Sequence, residues 1–230
     1  ILTAQILHRQ NQVKAVYIAR TILKARLTAM TTHIPISHST YRRLASLRSL
    51  DELRSLEAQV TKRYWHQYYK ELGLEGTIRR DRHVPVNQAL NAGSLFLSGV
   101  ILRWVLYHRL SPQHGFMHVQ SSYPSLVFDL MEPFRFIIER AVQQAHEQAP
   151  DTTSLVAYTI EIMKDALEDN VYVPATHQKV YRKSTLHGIV LALRAYLLGD
   201  MMRLVLPIEG VKKGGRPPKV SYSLPGEIKN

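Results

Sequence analysis

Apolar residues recur along this chain at helical rather than alternating intervals. Between Thr3 and Met30, Ile6, Val13, Val16, Leu23, Leu27 and Met30 fall at helical spacings, with Arg9, Lys14, Arg20, Lys24 and Arg26 filling much of the remainder. The pattern predicts one long amphipathic helix with a basic flank. Pro35 and the Ser/Thr clusters of Thr31–Ser39 break it. A second helix is predicted from about Arg42 to Leu72, where Leu44, Leu47, Leu50, Leu53 and Leu56 give way to Val60 and Tyr64, and Gly73 and Gly76 end it. A basic connector, Thr77–Pro85, leads to a third helix, about Val86 to Leu110. It is apolar on most faces, which points to a central position.

Ser111-Pro112 stops that helix, and Gln113–Ser125, with Gly115 and Pro124, reads as irregular. Periodicity resumes through Ile137, Ile138, Val142 and Ala145. Pro133 fits only near a helix start, so Asp129 and Glu132 are expected close to that N-terminus. Ala149–Thr153 separates this helix from another, Leu155–Leu167, and a last helix is expected from about His177 to Leu198. No strand alternation or internal repeat stands out. The chain is therefore predicted to be all-α, with one helical domain over residues 1–205 and a basic, flexible tail over 206–230 that contains Lys212–Lys219.

The charge narrows the class of partner. Among 230 residues, 30 Lys plus Arg against 18 Asp plus Glu give a net charge of +12, and a polyanion such as nucleic acid is the expected counterpart. The longest uncharged apolar run, Ala92–Leu102, ends at Arg103, short of the ~20 residues of a spanning helix, so no membrane partner is expected. The absence of cysteine excludes disulfides, thiolate zinc and a cysteine nucleophile, and fits a reducing cytoplasm. The chain starts at Ile1 rather than Met, as a fragment of a longer protein would.

Against that basic background, His118–Arg135 concentrates an imidazole and two carboxylates, His118, Asp129 and Glu132. With Glu57 they form a mixed N/O donor set suited to Mg²⁺ or Mn²⁺ held against a phosphodiester. The residues alone leave other readings open. Asp129-x-x-Glu132 ahead of an apolar helix also has the spacing of a capping box. His118 also reads as an ordinary histidine, and Glu57 as an ion-pairing residue beside Arg54 and Lys62.

Motifs favour the metal reading. Leu110, Pro112, Gly115, Phe116 and His118, followed by Pro124 to Arg135, resemble G-L-x-P-x-x-G-F-x-H and P-S-L-x-x-D-L-M-E-P-F-R. These belong to the CRISPR adaptation integrase, the first CRISPR-associated protein ("Cas one"). Ser55-Leu56-Glu57-Ala58 with Tyr64-Trp65 resembles the family's G-x-E-G segment, with both glycines replaced. Arg80-x-Arg82 and Asn87-x-x-Leu90-Asn91-x-Gly93 resemble its R-x-R and N-x-x-L-x-x-G segments. The likeness covers about residues 1 to 200, its specific motifs 55 to 135.

The resemblance implies a helical catalytic domain without the family's N-terminal β-rich domain, in which Glu57, His118 and Asp129 hold Mg²⁺ or Mn²⁺ and Glu132 assists. It implies transesterification of the 3′-hydroxyl ends of prespacer DNA into the CRISPR repeat, with related endonuclease activity. The partners implied are double-stranded DNA, a second copy in a homodimer, the small protein "Cas two" and, as in some relatives, a fused reverse transcriptase. Lys62, Arg63, Arg79, Arg80 and Arg82 are the expected phosphate contacts. Rival readings are a plain metal-dependent nuclease and a catalytically silent DNA-holding subunit.

Overall fold

The computed structural model describes residues 1–119, 123–149 and 151–211. Helix α1 (Leu2–Gln10) is followed by α2 (Gln12–Met30), α3 (His38–Ser46), α4 (Leu50–Glu71) and α5 (Pro85–Tyr107). Then come α6 (Ser125–Met131), a single 3-10 turn (Glu132–Phe134), α7 (Arg135–His146) and α8 (Thr152–Glu168). A hairpin of β1 (Asn170–Val173) and β2 (Gln178–Tyr181) precedes α9 (Arg182–Leu198). The fold is helical as expected, with this hairpin as an addition.

Two helices read as continuous are each divided. Asn11 turns extended (φ −80°, ψ 104°), and its side chain accepts the Lys14 backbone N–H, starting α2 afresh. Leu47 is extended, and Ser49 with Glu52 forms a reciprocal capping box at the head of α4. The far end of α4 follows the sequence, since Gly73 (φ 71°) and Gly76 (φ 83°) take left-handed backbone. In the hairpin Val171 pairs with Val180, and Val171, Val173 and Val180 turn inward as a small separate cluster. The hairpin consumes Gln178–Tyr181, so α9 begins at Arg182 rather than near His177.

Helices α2 and α5 carry the core. Ile18, Ala19, Ile22, Leu23 and Leu27 of α2 are fully buried. Helix α5 packs against α6, α7, α8 and α9. A Cβ on Gly93 would stand 2.7 Å from Ile138 Cγ2 and 3.0 Å from Met163 Sδ, so bare backbone lets α5 approach α7 and α8 this closely. The central position expected of α5 holds for one face only, because Leu95, Leu106 and Tyr107 are exposed on it. By length and composition α5 could cross a bilayer; here its buried face serves as a core helix.

After α9, which ends at Gly199 in left-handed backbone, the chain does not leave the core at residue 206. Leu204 and Leu206 are buried, Gly210 N–H donates to Tyr172 O, and Glu209 accepts from Arg182. Packing therefore continues past the boundary assigned to the tail. Lys212–Lys219 lie outside the described residues.

Candidate metal site and nucleic-acid face

The site is built where α4, the loop after α5, α6 and the 3-10 turn meet. Pro133 has no N–H to give, and it stands in the 3-10 turn that ends α6 and sends the chain into α7. Asp129 therefore lies within α6 and Glu132 at its end, not in a cap at the head of α7. The loop reaches α6 through Gly115, where an added Cβ would stand 2.5 Å from His118 O and 2.8 Å from Ser125 Cβ.

Asp129 is fully buried and organises that loop. Its Oδ2 accepts the N–H groups of Phe116 (2.5 Å) and Met117 (3.0 Å). Its Oδ1 accepts the His118 N–H (3.0 Å) and the imidazole Nδ1–H (2.7 Å). A carboxylate only accepts, so Nδ1 carries the proton and Nε2 is left as the ligand atom of His118. From the other side Arg54 Nε donates to Met117 O at 2.9 Å.

In front of that imidazole, Glu57, His118 and Glu132 each offer a ligand atom, all within 4.8 Å of one another. Opposite ligands of an octahedral ion with bonds of ~2.1 Å stand about 4.2 Å apart, so this trio closes on a single ion with small side-chain movements. One imidazole and two carboxylates form a donor set for Mn²⁺ or Mg²⁺. Asp129 was expected among the ligands. Its acceptor positions are instead filled by four N–H groups, and Glu132 occupies the place facing Glu57.

Electrostatics bear the mark of a cation position. Burial, reinforced by the neighbouring Glu132 charge, pushes the Glu57 carboxyl up to about 7. For His118, burial works against the charged ring, but the Asp129 hydrogen bond and charge, with Glu132 and Glu57, outweigh it and raise its pKa above the ordinary value. Two carboxylates and an imidazole that crowd one another this way are relieved by a divalent ion.

Glu132 is held in turn by groups that helical periodicity alone does not reveal. Its Oε1 accepts from Arg135 Nε at 2.8 Å, and its Oε2 lies 3.6 Å from Arg26 Nε. Arg26, assigned by pattern to a basic flank, is only 2% exposed. It forks onto Glu139 (3.0 and 2.6 Å), which also accepts the Tyr64 hydroxyl (2.7 Å). The signal available in sequence was a set of long-range partners, 113 residues apart for Arg26 and Glu139, which no local pattern joins.

The family model described as CRISPR associated protein Cas1 matches residues 1–153. The chain belongs to the Cas1 family. Among curated Cas1 relatives, the CRISPR-associated endonuclease Cas1 1 of Saccharolobus solfataricus is 34% identical over 143 residues, 58% of this chain and 40% of the relative. The chain thus spans about two-fifths of that relative's length. Two solved structures share the fold. A casposase bound to integration product superposes with a TM-score of 0.80 at 18% identity, covering 92% of this chain and 72% of that one. A Cas6-RT-Cas1–Cas2 complex superposes with a TM-score of 0.73 at 14% identity, covering 90% of this chain and 27% of that one.

On this Cas1 chain the five basic residues expected to meet phosphate differ in setting. Lys62, Arg63, Arg80 and Arg82 are exposed. Arg79 is half-buried, donates to Asn91 Oδ1 at 2.9 Å and covers the Trp65 ring, 5.4 Å to its centroid. Its guanidinium is therefore committed to packing.

Proposed function

We propose that this chain is the catalytic helical part of a CRISPR adaptation integrase. It joins the 3′-hydroxyl ends of a short DNA duplex to the CRISPR repeat by transesterification. The observation that carries the reading is the convergence of Glu57, His118 and Glu132, from three separate elements, on one ion-sized gap with Asp129 clamped behind the imidazole.

Glu57, Nε2 of His118 and Glu132 hold Mg²⁺ or Mn²⁺. When bound, such an ion polarises the scissile phosphate and acidifies the attacking hydroxyl. Asp129 fixes the tautomer and direction of His118 through Nδ1, the usual task of a carboxylate behind a metal-binding histidine. The DNA brings its own hydroxyl, so no side chain need act as a covalent nucleophile. Lys62, Arg63, Arg80 and Arg82 hold phosphates without reading bases.

The partners proposed, in a prokaryotic cytoplasm, are double-stranded DNA, a second copy of the chain, Cas2 and a reverse transcriptase. The test supplies a labelled duplex with 3′-hydroxyl ends, a repeat-bearing target and Mn²⁺. Joined products that vanish with EDTA and with His118→Ala, while helical circular dichroism is kept, are expected. Cleavage without joining would identify a plain nuclease. DNA binding with neither would identify a holding subunit.

A further inference from the structure

We infer that Arg26, locked from behind by Glu139 and Tyr64, is a positioning residue that fixes the Glu132 carboxylate towards the metal. The inference rests on the metal reading above and adds a task for residues which that reading does not use.

Arg26 comes from α2, Glu139 from α7 and Tyr64 from α4, and all three are buried. Both terminal nitrogens of Arg26 are spent on Glu139, at 3.0 and 2.6 Å, while its guanidinium lies 5.0 Å over the Tyr64 ring. Tyr64 Oη–H donates to Glu139 Oε2 at 2.7 Å, and Tyr68 Oη–H donates to the Glu139 backbone carbonyl at 2.8 Å. The guanidinium cannot swing, and the one edge left to it, Nε, faces Glu132 Oε2 at 3.6 Å. Arg135 Nε holds the other oxygen at 2.8 Å. Glu132, on a single 3-10 turn beside a second carboxylate, would otherwise rotate away from Glu57.

Stability alone gives little reason for a buried ion pair here, since apolar side chains of similar volume often serve as well or better. A fixed cation beside a metal position makes sense as a geometric device. Charge and position predict different outcomes. Coulomb repulsion between Arg26 and a divalent ion means that, if charge were all that mattered, removing Arg26 alone should tighten metal binding, and removing it together with Glu139, one positive and one negative charge, should change it little. Loss of position weakens it.

The experiment measures Mn²⁺ binding by electron paramagnetic resonance, together with thermal melting, on the 230-residue chain. In Arg26→Met/Glu139→Leu/Tyr64→Phe the three buried side chains become apolar together, Tyr68 keeps its bond to the residue-139 carbonyl, and Glu132 keeps Arg135. Melting is expected to be kept and Mn²⁺ affinity to fall about 10–100-fold, as for other residues that orient metal ligands. Should that variant not fold, Arg26→Lys keeps the pair with Glu139 but loses the fork and the Nε edge, and a weaker Mn²⁺ affinity is expected again. Unchanged or tighter Mn²⁺ binding in a folded variant overturns the inference and leaves the metal reading intact. A folded wild type that binds no Mn²⁺ overturns both.

Discussion

Asp129→Asn separates the two tasks a carboxylate can have in this site. Asp129 accepts four N–H groups on two oxygens in full burial. Asparagine has one acceptor oxygen, so two of the four donors must face an amide that itself donates. Hydrogen bonds to a charged group contribute about 1.5–3 kcal/mol each, so the loss of two costs about 3 kcal/mol or more. For a chain of this size that is a fall in Tm of roughly 6–12 °C. If the amide faces the imidazole, Nδ1 becomes the acceptor and the proton moves to Nε2, where it blocks coordination. If it faces Phe116 and Met117, the loop carrying His118 opens. In both orientations Mn²⁺ affinity should drop about 10–100-fold. Calorimetric melting and an Mn²⁺ titration read both effects. Loss of Mn²⁺ binding with an unchanged Tm would refute the clamp and make Asp129 a ligand. No change in either would make it dispensable.

Metal binding needs Glu57 ionised and His118 neutral, and both groups have raised pKa values, Glu57 to about 7. Mn²⁺ affinity should therefore rise with pH across roughly 6 to 8 with release of protons. For the metal-free protein the sign is opposite. A raised folded-state pKa contributes stability at low pH that is lost as pH rises, from about 4.5 to about 7 for Glu57 and from about 6.5 upward for His118, so melting with and without Mn²⁺ should diverge as pH increases. In fluorescence anisotropy, DNA affinity should fall with salt at a log-log slope of about −0.9 per phosphate contacted, and Arg80→Ala or Arg82→Ala should each lower that slope by about 1. Arg79→Ala should lower Tm instead; a slope change without a Tm change would return Arg79 to the DNA face. Ser49→Ala should cost about 1 kcal/mol in thermal melting and leave Mn²⁺ binding unaltered, because the capping bonds join Ser49 to Glu52 and involve none of the trio Glu57, His118 and Glu132.

The residues of the candidate site could be picked out by type and spacing, but the division of labour proposed for them could not. Asp129 and Glu132 are separated by one helical turn, and by resemblance Asp129 was the expected ligand and Glu132 its helper. What distinguishes them is that the loop's backbone N–H groups saturate Asp129, a fact of tertiary packing. The same spacing misled at the helix caps: Asp129-x-x-Glu132 has the look of a capping box, whereas the box that forms is Ser49-x-x-Glu52. Helical type was readable almost everywhere because the apolar period is strong. The breaks at Asn11 and at Leu47–Ser49 were hidden because apolar residues continue through them in helical register. Val171, Val173 and Val180 alternate over strands of only four residues, too short to compete with helical patterns on either side. Arg26 read as surface because charge usually is, and only its partners on α4 and α7 explain its burial.

The central claim is that one divalent ion sits among Glu57, His118 and Glu132. Crystals of the chain grown with Mn²⁺ and measured near the manganese absorption edge test it most directly. One anomalous peak is expected, bonded to Nε2 of His118 and to carboxylate oxygens of Glu57 and Glu132, with Asp129 still on Nδ1. A peak bonded to Asp129 in place of Glu132, or no peak at the trio in Mn²⁺-saturated crystals, would contradict it.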